Sequence, residues 1–165
     1  MAQSFSFDIV SKIDMEEVLN AVNQTTREMS QRFDFKDSKS TITLNRKERE
    51  ITVVADDDMK RRSILEILHV RCAKRGVSLK GLAHGSIEQT FSGTLTQKIQ
   101  VQSGLSTEQC KEIVKIIKSL NLKVKTTIQD AQVRVSGPKK DELQAVMQRL
   151  REEDFSYHVG FDNFR

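Results

Sequence analysis

The sequence has no tryptophan, a single tyrosine, a single proline and only two cysteines in 165 residues. Two cysteines cannot build a disulfide framework, and Cys72 and Cys110 both fall inside helical patterns, so a reduced, cytoplasmic setting is expected. No run of about 18 apolar residues occurs, and no membrane-spanning helix is expected. The opening MAQSFSFDIVSKID lacks the basic stretch and apolar core of a secretory signal. Aromatic residues make up 5% of the chain, which argues against a function built on many stacked bases. A Walker loop, a dinucleotide fingerprint and a nucleophile elbow are all missing. His69, His84 and His158 show no metal-ligand spacing to one another or to the cysteines, so neither metal nor cofactor is expected. Asp56, Asp57 and Asp58 read as the start of a helix, where capping and the dipole attract aspartate, rather than as a magnesium site.

Charge is abundant but nearly balanced, with 27 basic and 23 acidic side chains. Its distribution is uneven. Between Lys98 and Lys140 lie Lys98, Lys111, Lys115, Lys118, Lys123, Lys125, Arg134, Lys139 and Lys140, against Glu108, Glu112 and Asp130. That segment has a surplus of positive charge, and the chain after it has an acidic one. A local basic surface facing a phosphate-bearing partner is one reading, and a solvated lysine-rich face is the other.

Apolar periodicity supplies the elements. Phe5, Phe7 and Ile9 alternate as a strand, and Asp14 caps a helix running to about Arg32. Lys39–Asn45 and Glu50–Ala55 form a hairpin, and a second helix runs from Asp56 to Arg75, closed by Gly76. Val77–Leu82 reads as a short strand and Ala83–Ser86 as a linker. The order then recurs. Ile87–Val101 alternates as an overlong strand that either crosses two sheets or breaks at Gly93. A helix follows from Ser106, then a hairpin of Lys123–Gln129 and Gln132–Ser136, a helix over Lys139–Arg151 and a last strand over Phe155–Val159. Two β-α-β-β-α-β units give an α+β chain of two ferredoxin-like domains, 1–85 and 86–165. Each is an antiparallel sheet with two helices on one face.

The helix-free face is the candidate site. Alternation turns Ile99, Val101, Val124, Ile128, Val133 and Val135 toward the helices. It leaves Lys98, Gln100, Lys123, Lys125, Thr127, Gln129 and Arg134 on the other side. RNA-recognition modules use this platform with aromatics on the central strands, whereas here Lys98, Gln100, Gln132 and Arg134 stand there. Arg134 can stack through its guanidinium plane, and the lysines can pair with phosphates. Lys111, Lys115 and Lys118 share one face of their helix, either solvated or a track for a nucleic-acid backbone. Ser136-Gly137-Pro138-Lys139-Lys140 leads into a helix N-terminus, which reads as ordinary capping or as a phosphate cradle with Lys139 and Lys140. Acylphosphatases share the topology but need an arginine in the loop after the first strand. Ser11–Met15 and Gln102–Ser106 contain none, so no catalysis is expected.

Six segments carry a family resemblance: SFDIVSKID near the start, REMSQRFDFK at 27–36, LEILHVRCAKRGV at 65–77, KIIKSLNLKVKTTIQDAQVRVSG at 115–137, KKDELQAV at 139–146 and the terminal FDNFR. In this order, and nearly end to end, they resemble the YajQ family of small bacterial cytosolic proteins. The resemblance implies two ferredoxin-like domains with exchanged N-terminal strands. It also implies nucleotide binding, with cyclic di-GMP (in some members alongside a transcription regulator), GTP or tRNA as ligand. Through the RFDFK motif it adds Arg32, Asp34 and Lys36 to the candidate residues, unless Phe33 and Phe35 make that motif a structural anchor. Asp37 stands where the family often has glycine. The expectation is a non-enzymatic, cytoplasmic nucleotide-binding protein with no membrane partner, using the basic sheet face. RNA binding or an adaptor role toward a transcription regulator is the alternative, and a phosphohydrolase the remaining rival.

Overall fold

The computed structural model describes residues 4–165. Twelve regular elements follow one another: β1 (Phe5–Val10), α1 (Met15–Gln31), β2 (Thr41–Asn45), β3 (Glu50–Ala55), α2 (Asp58–Lys74), β4 (Leu82–Gln89), β5 (Leu95–Val101), α3 (Thr107–Ser119), β6 (Lys125–Gln129), β7 (Gln132–Gly137), α4 (Lys140–Glu152) and β8 (Gly160–Asp162). Short 3-10 turns occupy Phe33–Phe35 and Leu79–Gly81. The helix ends follow local chemistry. The Asp14 carboxylate accepts the Glu16 N–H, Asp57 accepts the Lys60 N–H, and Ser106 forms a reciprocal capping box with Gln109. At the end of α2, Gly76 takes φ +75°, which lets Val77 N–H reach the Cys72 carbonyl and Gly76 N–H reach that of Ala73.

Two four-stranded antiparallel sheets result, in the orders β6-β7-β1-β8 and β2-β3-β5-β4. Each is the ferredoxin-like order with two helices on one face. The exchange implied by the resemblance is visible in the ladders. β1 pairs with β7 and β8, while β5, the strand directly before α3, pairs with β3 and β4. Among the described residues the compact units are therefore 4–12 together with Ser103–Arg165, and Ile13–Gln102. They do not divide at 85/86, because β5 closes the sheet of the earlier elements.

In the Ile13–Gln102 unit, Val18, Ala21 and Val22 of α1 and Ile64, Leu68 and Cys72 of α2 bury against Ile42, Ile51, Val53, Ile99 and Val101. In the other unit, Ile113 and Ile117 of α3 and Leu143, Val146 and Leu150 of α4 bury against Phe7, Ile9, Val133 and Val135. Burial of these side chains is the main favourable term for each unit.

Of the two readings of the overlong segment one holds, and two other segments differ from the sequence reading. The overlong strand breaks: Gly93, at φ +87°, turns the chain between β4 and β5, and Thr90 N–H bonds to the Thr94 carbonyl. The expected linker Ala83–Ser86 lies inside β4, and a 3-10 turn fills part of the expected strand Val77–Leu82. The last strand is Gly160–Asp162 rather than Phe155–Val159, where Phe155 and Tyr157 are buried as core side chains outside any ladder. Ile128 pairs with Val133 yet remains 43% exposed, because β6 is an edge strand.

Candidate functional site

Alternation along β1 sends Phe7 and Ile9 to the helices and Asp8 to the opposite face. Register then sets Thr127, Arg134, Asp8 and Asp162 in one row across that face. Asp8 is only 3% exposed. A carboxylate so enclosed needs partners, and it has three. Arg134 donates through Nε at 2.9 Å and Nη2 at 3.3 Å, Asn163 through Nδ2 at 2.9 Å and Gln132 through Nε2 at 3.3 Å. The Arg134 hydrogen bond holds the Asp8 carboxyl below its ordinary pKa, opposed by burial and helped by Asn163. The two-pronged contact fixes the guanidinium plane while 48% of the Arg134 side chain stays exposed.

The same face carries Lys125, opposite Ser136, and Thr127, opposite Arg134. Lys123 precedes β6, and its carbonyl lies 3.0 Å from where a Gly137 side chain would begin, a close approach of two backbones that any Cβ would crowd. Lys139 and Lys140 follow within three residues. Lys123, Lys125, Arg134, Lys139 and Lys140 thus belong to one unit, around one end of β6 and β7, and all are exposed. The α4 terminus is already supplied with acids. Asp141 and Glu142 occupy its first turn, Glu142 accepts the Lys123 N–H at 3.0 Å, and the Lys140 ammonium sits 5.7 Å from the Phe5 ring.

Lys98 and Gln100 point outward as alternation requires, but from the other sheet. Lys98 lies opposite Thr52, with Nζ 3.8 Å from Glu50, and Gln100 donates to the Glu48 carbonyl at 3.0 Å. The continuous basic face expected from Lys98 to Arg134 is therefore divided between two sheets, because β5 and the β6–β7 hairpin have different ladder partners.

Arg32, Asp34 and Lys36 form a third location, the 3-10 turn after α1. Arg32 grips Asp34 at 3.0 and 2.9 Å and lies 5.7 Å over the Phe35 ring. Phe35 is buried and anchors the turn, whereas Phe33 is 86% exposed beside Lys36, so only one of the two aromatics is structural. Asp37 adopts φ +59°, the conformation that suits the glycine expected there. Beside this turn, Met29, Phe35, Ile42 and several serine and threonine side chains line a cavity of about 410 Å³.

Lys111, Lys115 and Lys118 are exposed on α3, opposite the buried Cys110, Ile113 and Ile117. Burial pushes the Cys72 thiol up to about 11 and raises that of Cys110, which leaves both as packing groups rather than nucleophiles. Among the described residues, no helix is long and apolar enough to cross a membrane.

A family model described as "Nucleotide-binding protein YajQ-like" matches residues 5–165. The chain belongs to the YajQ family. A relative from Carboxydothermus hydrogenoformans is 48% identical over 165 residues, covering all of both chains, and one from Heliobacterium modesticaldum is 46% identical, covering 100% of this chain and 99% of its own. A third, from Geotalea daltonii, is 48% identical over 160 residues, covering 97% and 98%. All three YajQ relatives carry the name nucleotide-binding protein.

The sequence reading placed Arg134 and Lys125 on a helix-free face but did not single out Asp8. An aspartate within a strand whose other residues, Ser6 apart, are apolar was the available signal. The exposure of Phe33 had no signal, since a turn flanked by two phenylalanines does not say which is inside.

Proposed function

We propose that this protein is a non-enzymatic nucleotide-binding protein that receives phosphates on the helix-free face of the sheet containing β1. The observation that carries the reading is Arg134 held flat by the buried Asp8, with Lys125 on the same face and Lys123, Lys139 and Lys140 near its end. A preset guanidinium loses little freedom on meeting a phosphate or the plane of a base, and the lysines add charge. The names of the relatives support the ligand class. A compact guanine nucleotide, cyclic di-GMP or GTP, suits a patch of five cations on one small unit, and the reading extends to an effector that acts on a transcription regulator in the cytoplasm. Lys98 and Gln100, and the Arg32–Lys36 turn, lie in the other unit and are not needed for this site. RNA is the second reading, favoured by the exposed Phe33 beside Lys36, which offers a base one aromatic face.

Calorimetric titration with cyclic di-GMP, GTP and tRNA at two salt concentrations tests both. Saturable binding of a guanine nucleotide with a shallow salt slope, lost in the Lys123→Glu/Lys125→Glu variant at unchanged thermal midpoint, is expected. A steep salt slope with tRNA alone selects the RNA reading. Unchanged nucleotide affinity in the double variant rejects this face.

A further inference from the structure

Two histidines that are 15 residues apart in the chain meet in the fold. His69 lies on α2 next to the buried Leu68, and His84 lies on β4 opposite Ile99, on the side of the sheet that faces α2. Their Nε2 atoms are 3.0 Å apart, with the rings nearly perpendicular at 80°. We propose that His69 and His84 form a site for a divalent transition-metal ion such as zinc or nickel.

The geometry is close to what chelation needs. Two imidazole nitrogens on one tetrahedral zinc, each at about 2.0–2.1 Å, lie roughly 3.3 Å from each other. The pair is within a few tenths of an ångström of that separation before any metal arrives. Without metal, the Nε2–H of one ring donates to Nε2 of the other; to bind the ion, that proton moves to Nδ1 of its own ring, and both Nε2 lone pairs then face the metal. The supports are rigid, because α2 is fixed by Ile64, Leu68 and Cys72 in the core and β4 by its ladder to β5. The ordering cost of bringing two ligands together has therefore been met by folding.

The donor set also selects the ion. Imidazole nitrogen suits zinc, nickel and copper, and hard magnesium or calcium prefers oxygen. Among the described residues, no group of three or more histidine, cysteine, aspartate or glutamate side chains is arranged to hold a metal. Cys72, one turn beyond His69 on the helix, is buried with its thiol raised by that burial, and it is no third ligand. The protein thus supplies two ligands, and the remaining positions are open to water or an exogenous donor. With two protein ligands rather than four, such a site binds more weakly than a structural zinc site.

The test is titration of the full-length, tag-free chain, stripped with chelator, using zinc chloride, nickel chloride and magnesium chloride. Saturable single-site binding of zinc and nickel, and none of magnesium, is expected. His69→Gln and His84→Gln should each weaken it by an order of magnitude or more, and His158→Gln should leave it unchanged. Nitrogen-15 spectra of the wild-type imidazoles give a readout independent of any variant: zinc should shift the Nε2 signals of His69 and His84 together. Absent zinc binding, affinity unchanged from the parent in His69→Gln or His84→Gln, or shifts confined to other histidines would overturn the proposal.

Discussion

Asp8 shows how a single side chain can set the chemistry of a surface. Its carboxylate is enclosed on the helix-free face with Arg134, Gln132 and Asn163 converging on it, and it fixes Arg134 in return. The Asp8 pKa lies below its ordinary value in the folded protein, so the folded state binds fewer protons at this site than the unfolded chain. The resulting stabilisation is fully present above the unfolded pKa of about 3.9 and is lost as pH falls through the folded value. The Asp8→Asn variant should melt several degrees below the parent at pH 7, and the gap should begin to narrow as pH falls below about 4 and close only below the folded value. A gap independent of pH would show that packing, not the charge, holds Asp8. Alternation in the sequence indicated that Arg134 faces away from the helices. It could not indicate the partner, since Asp8 and Arg134 are 126 residues apart and belong to one sheet only through an exchange of strands.

The β4–β5 hairpin shows what element-scale patterns can and cannot convey. Ile87, Phe91, Leu95 and Ile99 keep an apolar beat straight through the turn, so the segment reads as one strand although Phe91 stands wholly in solvent at its tip. Alternation defines which face a residue takes and is silent about which sheet it joins. Two glycines here play different parts. Gly93 has a positive φ with nothing within 4 Å of a new side chain, so Gly93→Ala should cost only the left-handed strain, about 1 kcal/mol. Gly85 sits at the irregularity between His84 and Ile87, where a Cβ would lie 2.9 Å from the Lys98 carbonyl oxygen. Backbone must then move, and the Gln97 amide that donates to the Gly85 carbonyl moves with it. Gly85→Ala should therefore be the more destabilising in urea titrations; the reverse order would contradict this close approach. By contrast, the helices and the β2–β3 and β6–β7 hairpins were legible because caps, turns and periodicity act within a few residues.

At the scale of the whole chain, the two units are built from unlike pieces. Ile13–Gln102 holds all four strands of its sheet in one continuous stretch. The other sheet takes an interior strand, β1, from the far end of the sequence. A fragment spanning 13–102 should fold alone and unfold cooperatively in urea. A fragment spanning 103–165 should not, because β7 and β8 have no strand between them. Adding a peptide of residues 4–12 should restore its circular dichroism. A 103–165 fragment that folds unaided would show that β1 is dispensable. The ferredoxin-like repeat was readable from element order; which strand completes which sheet came only from the family resemblance, because ladder partners depend on contacts remote in sequence.

The placement of β1 also has a consequence during synthesis. Its apolar residues Phe5, Phe7 and Ile9 leave the ribosome long before their ladder partners in β7 and β8 are translated. Until those strands emerge the nascent chain carries an unpaired apolar strand while the Ile13–Gln102 unit can already be complete, which makes this short segment a natural place for a chaperone to hold.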